Sequence, residues 1–347
     1  MTPAYDPFPW QQRQWRRLQQ QVGSRRLAHA YLLAGENGLG KRHFARAVAR
    51  LLLCSAADNS GACGKCRSCI LFQSQSNPDL LIIGPEDSRV IKIDQVRQLT
   101  EFATRTGHSN TRKIIILEQA EALNTNAANA LLKTLEEPPG DTVLLLVSDN
   151  PGRLLATIRS RCQRILFTAP DAQTALDWLR GNTGESACDE AELRELLALV
   201  NHRPLQARAM AADEVREEHG NVLKAFAAIL EGRLDPVEFA ADCRTLGPQK
   251  ILDWFWQTST LTVKYWLARH GTTADGDAGD QDEQHQQIAA ICRRLGASPR
   301  TADEILARLM MISQAVNEAR QQLGGASNPN PQLMLEGLLW RWSRLAS

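Results

Sequence analysis

Cys54, Cys63, Cys66 and Cys69 follow the spacing C-x8-C-x2-C-x2-C and begin thirteen residues after Lys41, which ends Gly35-Glu-Asn-Gly-Leu-Gly-Lys41. Four thiolates at such spacing can enclose one tetrahedral Zn²⁺ and leave no position open for water, the pattern of a structural metal. The competing reading, four unrelated buried thiols, fits poorly with two successive C-x2-C steps. The glycine stretch matches G-x-x-x-x-G-K. In such a loop the backbone around Gly35, Gly38 and Gly40 cradles phosphates and Lys41 reaches the β- and γ-phosphates of a nucleotide. Arg42 stands where a Ser or Thr hydroxyl would hold Mg²⁺. It brings a second cation and no oxygen.

A second departure lies downstream. The apolar run Lys113–Leu117 ends in Glu118-Gln119-Ala120-Glu121. A Walker B strand ends in Asp followed by an acidic residue, one for the metal shell and one for the attacking water. Here Glu118 is one methylene longer than Asp, and Gln119 is a neutral amide that cannot take a proton. Glu121 is expected at the surface of the next turn. Phosphate binding is compatible with this sequence and metal-assisted hydrolysis is compromised, as in a weak or non-hydrolysing ATPase relative; a glycine turn without any ligand is the alternative. Ser160-Arg161-Cys162 adds a guanidinium that, at a domain rim, could stabilise charge on a neighbour's γ-phosphate. The bland alternative is an arginine in an intramolecular ion pair, with Arg159 and Arg164 as nearby competitors.

These residues need a sheet to hold them. Ala30–Ala34 reads as a buried strand entering the glycine loop, and His43–Leu53 as the helix after it. Leu80–Ile83, Lys113–Leu117 and Val143–Val147 read as further strands, apolar on both faces as parallel strands require. Asp94 is a plausible N-cap for a helix carrying Val96, Leu99, Phe102 and Ala103 on one face. A helix over Ala127–Leu135 should stop at Pro138-Pro139. After Pro170 only helical periodicity remains. Thr301-x-x-Glu304 forms a capping box ahead of Ile305, Leu309, Ile312, Val316 and Leu323. Asn330-Pro331 opens a last helix.

The 347 residues suffice for two or three domains. No apolar run of about 18 residues suggests a membrane span. The first residues lack the apolar centre of a secretion signal, so a cytoplasmic location is expected. In a reducing compartment eight cysteines favour metal ligation over disulfides. Cys162, Cys188, Cys243 and Cys292 are widely spaced and expected in packed positions. The net charge of +1 lacks the basic excess of a protein devoted to gripping nucleic acid.

Together, Gly35-x-x-x-x-Gly-Lys41, the four cysteines, Asn126-Ala-Ala-Asn-Ala-Leu-Leu-Lys-Thr-Leu-Glu-Glu-Pro-Pro139 and Ser160-Arg-Cys162 resemble the bacterial clamp-loader branch of the AAA+ ATPases. The specific match covers roughly residues 9–167. The resemblance implies an α/β P-loop module over 1–167, a parallel sheet with helices on both faces and a zinc knuckle inserted at 54–69. It further implies a helical lid over 168–212 and an all-helical collar over 213–347 with a flexible acidic insert at 271–287. The implied partners are the delta subunit and the gamma/tau motor subunits of a five-subunit loader. That loader places the ring-shaped sliding clamp on primed-template DNA within the DNA polymerase III holoenzyme, to which nucleotidyl transfer belongs. Motor subunits of this branch carry Ser or Thr at position 42 and an acidic pair after the 113–117 strand. The departures at Arg42 and Gln119 therefore imply the non-motor arm, with Arg161 serving in trans the ATP of an adjacent motor subunit. In Asn201-His-Arg-Pro-Leu-Gln-Ala207, Leu205 falls where a lid sensor arginine would stand. Two alternatives stay open: a gamma/tau-type ATP-hydrolysing motor and a zinc-dependent DNA-binding module. Against the module, Gly61–Cys69 has only Lys65 and Arg67 between its ligands and no helix long enough to enter a groove.

Overall fold

Both faces of every central strand are apolar because both faces are covered. The computed structural model describes residues 6–58, 61–86, 89–105, 112–183, 189–244, 246–270, 283–323 and 329–346. The chain divides into two units, Met1–Leu179 with Asn201–Gln206, and Arg180–Val200 with Ala207–Ser347.

In the first unit, α1 (Gln12–Gly23), β1 (Ala30–Ala34), α2 (Lys41–Leu53), α3 (Arg67–Gln73), β2 (Leu80–Ile83), α4 (Ile93–Thr104), β3 (Arg112–Leu117), α5 (Thr125–Glu136), β4 (Asp141–Ser148), α6 (Ala156–Arg161), β5 (Gln163–Leu166) and α7 (Ala172–Arg180) follow in order. The five strands form one sheet in the order β2-β3-β4-β1-β5, every pair parallel. Successive side chains point to opposite faces, and the core divides accordingly. Tyr31, Leu33, Ile114, Ile116, Val143, Leu145 and Val147 pack with Trp15, Leu18, Phe44 and Val48 of α1 and α2. Leu32, Ile115, Leu117, Leu144 and Leu146 pack with Val96, Leu99, Leu131 and Ile158 of α4, α5 and α6.

The expected strands and the 125–136 helix are present, the latter capped by Asn124, whose Oδ1 accepts from the Ala127 amide at 2.8 Å. The helix expected to be capped by Asp94 instead starts at Ile93 after Lys92. Gln95 folds back to accept the Lys92 amide at 2.9 Å, which leaves Asp94 in the first turn and paired with Arg97.

The second unit is helical: α8 (Glu190–Leu199), α9 (Pro204–Met210, whose first residues belong to the first unit), α10 (Asp213–Leu230), α11 (Pro236–Asp242), α12 (Pro248–His270), α13 (Glu283–Gly296), α14 (Ala302–Leu323) and α15 (Pro331–Ser343). Phe226, Phe255, Trp266 and Trp342 are fully buried at its centre. Trp342 donates its indole N–H to the Phe226 carbonyl at 3.0 Å. The Thr301–Glu304 box and the Asn330 cap form as expected. Of the expected acidic insert 271–287, residues 271–282 lie outside the described residues, and 283–287 belong to α13. The buried face of Ile288, Ile291, Cys292 and Leu295 anchors that helix, and the polar turn before it extends it. Cys162, Cys243 and Cys292 are buried as expected; Cys188 lies outside the described residues. Among the described residues no helix is long and apolar enough to cross a membrane.

Candidate functional site

Helix α2 carries one candidate site at each end. At its C-terminal end Cys54 is the cap residue; Cys66 caps α3, and Cys69 lies in the first turn of α3. The four sulfurs of Cys54, Cys63, Cys66 and Cys69 all lie within 4.8 Å of one another, and Cys54 and Cys66 Sγ are 3.9 Å apart. A tetrahedral zinc with bonds of about 2.3 Å requires sulfur separations of about 3.8 Å, so the cluster fits one ion. Backbone amides of Cys63, Cys66 and Cys69 donate to the sulfurs of Cys54, Cys63 and Cys66 at 3.3, 3.4 and 3.4 Å. Such donors favour thiolates, the ligating form. Burial raises the Cys66 thiol, but hydrogen bonds from Ser55 and Cys69 outweigh it and hold the group at about 6. Burial and the Cys66 hydrogen bond push Cys69 to about 12. The four sulfurs could hold one metal ion.

At its N-terminal end, α2 emerges from the glycine loop with Gly40 in the left-handed region (φ 80°) as cap. A Cβ there would stand 2.6 Å from the Phe8 ring. Phe8 stacks on Trp10 and His43, and both Trp10 Nε1 and Gln11 Nε2 donate to the Leu39 carbonyl, at 3.0 and 2.8 Å. From the other side, the Leu205 amide donates to the Gly38 carbonyl at 3.2 Å, and Arg203 pairs with Glu36 at 3.5 Å. A Cβ on Gly38 would lie 3.0 Å from the Gln206 side chain. The loop lysine is also engaged. Lys41 is 3% exposed, and its Nζ lies 2.6 Å from Asp149 Oδ1 and 2.6 Å from the Glu36 carbonyl.

The position that would hold a metal-shell carboxylate is bound as well. Glu118, at the end of β3, pairs with Arg46 at 3.2 Å and with Arg42 at 3.6 Å. Gln119 adopts a left-handed backbone, φ 52°. Glu121, expected on the surface, is half-buried and accepts from the amides of Asp149 and Asn150 at 2.9 and 3.3 Å. The segment after β4 offers two amides with no helix to receive them, and Glu121 supplies the acceptor. Thus Gly35, Gly38, Gly40 and Lys41 do belong to one loop, but two ion pairs of the protein, Lys41 with Asp149 and Arg203 with Glu36, already occupy it.

Arg161 ends α6, away from that loop in sequence and on another element. Its guanidinium lies 2.6 Å from Glu136 and donates to the Thr157 carbonyl at 3.1 Å. Both partners of the ion pair are at least a third exposed, so the pair is worth at most a few tenths of a kcal/mol to about 1 kcal/mol. Exchange for a phosphate therefore costs little.

Sequence reasoning missed Asp149, Arg203, Arg46 and the Phe8–Gln11 segment. Asp149 had a readable signal, since it follows a central strand beside the loop strand. Arg203 lies two residues before Leu205 and is the basic side chain of that segment that reaches the loop; helix phase alone does not reveal it.

Against known proteins, the family model for DNA polymerase III, delta subunit, matches residues 10–171. The chain is 36% identical over 341 residues to DNA polymerase III subunit delta' of Pseudomonas aeruginosa, covering 98% of each. It is 29% identical over 328 residues to the subunit of the same name in Haemophilus influenzae, covering 94% of each. Among solved structures, a DNA polymerase III gamma subunit-related protein of Thermotoga maritima superposes with a TM-score of 0.43 at 17% identity, covering 95% of this chain and 99% of that one. The 36% identity to the Pseudomonas aeruginosa subunit along 98% of both chains puts this chain in the family of DNA polymerase III delta' subunits.

Proposed function

We propose that this chain is the non-motor arm of a bacterial clamp loader, assembling with delta and gamma/tau subunits in the cytoplasm to place a sliding clamp on primed DNA. In this reading the AAA+ module spans 1–167, the lid 168–212 and the collar 213–347. Cys54, Cys63, Cys66 and Cys69 hold a structural Zn²⁺. The observation that carries the reading is the double engagement of the loop: Lys41 is bound by Asp149 and the Glu36 carbonyl, and Glu118 by Arg42 and Arg46. A motor needs that lysine for phosphate and that carboxylate for Mg²⁺. Residues Gly35, Gly38, Gly40 and Lys41 then act as a structural turn, and catalytic help is given outward by Arg161 to ATP on a neighbouring motor subunit.

The test is Mg²⁺-dependent ATP turnover, measured on the purified chain and on loaders of verified composition. The chain alone should turn over no ATP; robust turnover would assign it to the motors. In the assembled loader with clamp and primed DNA, Arg161→Ala should remove turnover at one interface. A finger contributes roughly 10³-fold or more to the step it assists, but other sites keep theirs, so the total falls by less. Arg161→Lys should rescue poorly, since a point charge cannot reproduce the planar fork. A wild-type rate in the alanine loader would leave Arg161 a surface arginine.

A further inference from the structure

Arginines run along α2 from the glycine loop toward the cysteines. Arg42, Arg46, Arg50 and Cys54 recur at every fourth residue and so follow one face of the helix. Arg42 and Arg46 share Glu118, at 3.6 and 3.2 Å. Arg50 pairs with no carboxylate among the described residues, and its Nε is buried without a hydrogen-bond partner. It is the one charged residue from Ala47 to Cys54, and its neighbours Ala49, Leu51, Leu52 and Leu53 are all buried. A buried N–H that exchanges water for no acceptor lowers stability. A guanidinium placed in this way calls for an anion.

The group beside it is the cysteine cluster. Gly64 has a left-handed backbone, φ 74°, and a Cβ there would lie 3.2 Å from Arg50 Nη2. The guanidinium therefore sits beside the turn Cys63-Gly64-Lys65-Cys66, which carries two of the four sulfurs, while its own helix ends at a third, Cys54. Four thiolates around one Zn²⁺ leave a net charge of about −2. Charge in a partly buried place is costly unless it is paired. Lys65 and Arg67 flank the same ligands but are exposed, where water weakens any pairing. Arg50 is half-buried and fixed on a helix.

We propose that Arg50 is a positioning residue of the metal site. Its guanidinium holds the Cys63–Cys66 turn against α2 and supplies counter-charge to the zinc tetrathiolate, so metal retention depends on a side chain outside the four ligands. The inference rests on the reading of the four cysteines as a zinc site. Two observations favour charge over packing. The stretch Ala47–Leu53 is otherwise alanine, valine and leucine, so an apolar side chain would suit position 50 if filling space were its task. Glycine at 64 also keeps side-chain atoms out of the guanidinium's place. Groups that support metal ligands from outside typically contribute about 10- to 100-fold to affinity.

The test is zinc retention by the full-length chain, loaded with Zn²⁺ and challenged with increasing amounts of a chromophoric chelator. Arg50→Met keeps the stem and removes the charge, Arg50→Lys keeps the charge, and Arg67→Ala removes an exposed cation beside the same ligands. Arg50→Met should hold zinc about 10- to 100-fold more weakly. Arg50→Lys should recover most of that loss, which a packing role would not allow. Arg67→Ala should match wild type within about twofold. Circular dichroism checks the fold. If Arg50→Met does not fold, Arg50→Gln against Arg50→Lys makes the same comparison, a polar head without charge and with it. A zinc-loaded wild type matched by the neutral variant overturns the proposal and leaves the zinc reading intact. So does an Arg50→Lys chain as weak as the neutral variant. A wild-type chain that takes up no zinc strikes the zinc reading itself, and the role of Arg50 with it.

Discussion

The two ends of α2 answer the same question in opposite ways. At the N-terminal end a loop shaped to receive phosphates is filled by the protein: Lys41 by Asp149, Glu36 by Arg203, the face of Gly40 by Phe8. At the C-terminal end four sulfurs converge and accept from backbone amides and from Ser55. One site has been closed by acquiring its own counter-charges, and the other stays open to an external ion. A binding motif therefore reports what a backbone can hold; the surrounding side chains decide whether the place is already taken.

The contrast is broken most severely at the sulfur end. Protein purified without chelators should contain one zinc per chain. Cys66→Ser should release the metal and unfold the knuckle, because the binding energy of a structural zinc, of order 10 kcal/mol, is also folding energy. Elemental analysis with and without the substitution reads this directly, and metal-free wild type of unchanged stability would end the contrast.

At the loop end, Gly40→Ala tests how tightly the site is filled. A left-handed backbone costs a residue with a Cβ about 1–2 kcal/mol, and the contact 2.6 Å from Phe8 adds to it. An unfolding free energy lowered by about 2 kcal/mol or more, read from denaturant unfolding, is expected. Phe8→Ala in the same background should recover the part due to the ring.

A smaller effect should follow from Asp149→Ala. It leaves buried Lys41 with the Glu36 carbonyl and no carboxylate. A fully buried broken pair would cost about 3–5 kcal/mol, but Asp149 is a third exposed, so water relieves the charge and roughly 1–2 kcal/mol is expected. Chemical denaturation reads the loss. If ATP restores the lost stability in this variant and not in wild type, the loop is held closed by that carboxylate.

Much of this was legible before any coordinates. Runs apolar at every position mark strands covered on both faces, and the loop, cysteines and Arg161 are local patterns readable by spacing. What escaped was tertiary. Nothing near Lys41 in sequence names Asp149 as its partner, and Glu136 lies on a different helix from Arg161. Glu121 read as a surface residue because its acceptor role is to amides that β4 leaves behind. The start of α4 was missed for a similar reason: Gln95 competes with Asp94 for the cap, and its Nε2 is fixed by the Gly84 carbonyl at 2.9 Å.

The indole bond from Trp342 to the Phe226 carbonyl has a consequence for synthesis on the ribosome. The sheet of the first unit has all five strands once Leu166 has emerged, and α7 follows within a few residues. The helical core lacks its last aromatic until residue 342 is released, more than a hundred residues after its partner. During that interval Phe226 and Phe255 lack the Trp342 ring that packs on both, and the nascent chain presents a greasy, half-built bundle after a finished sheet. Chains fold unit by unit in the order they emerge, so this protein is most exposed to chaperones and proteases in the seconds before translation of the α15 segment ends.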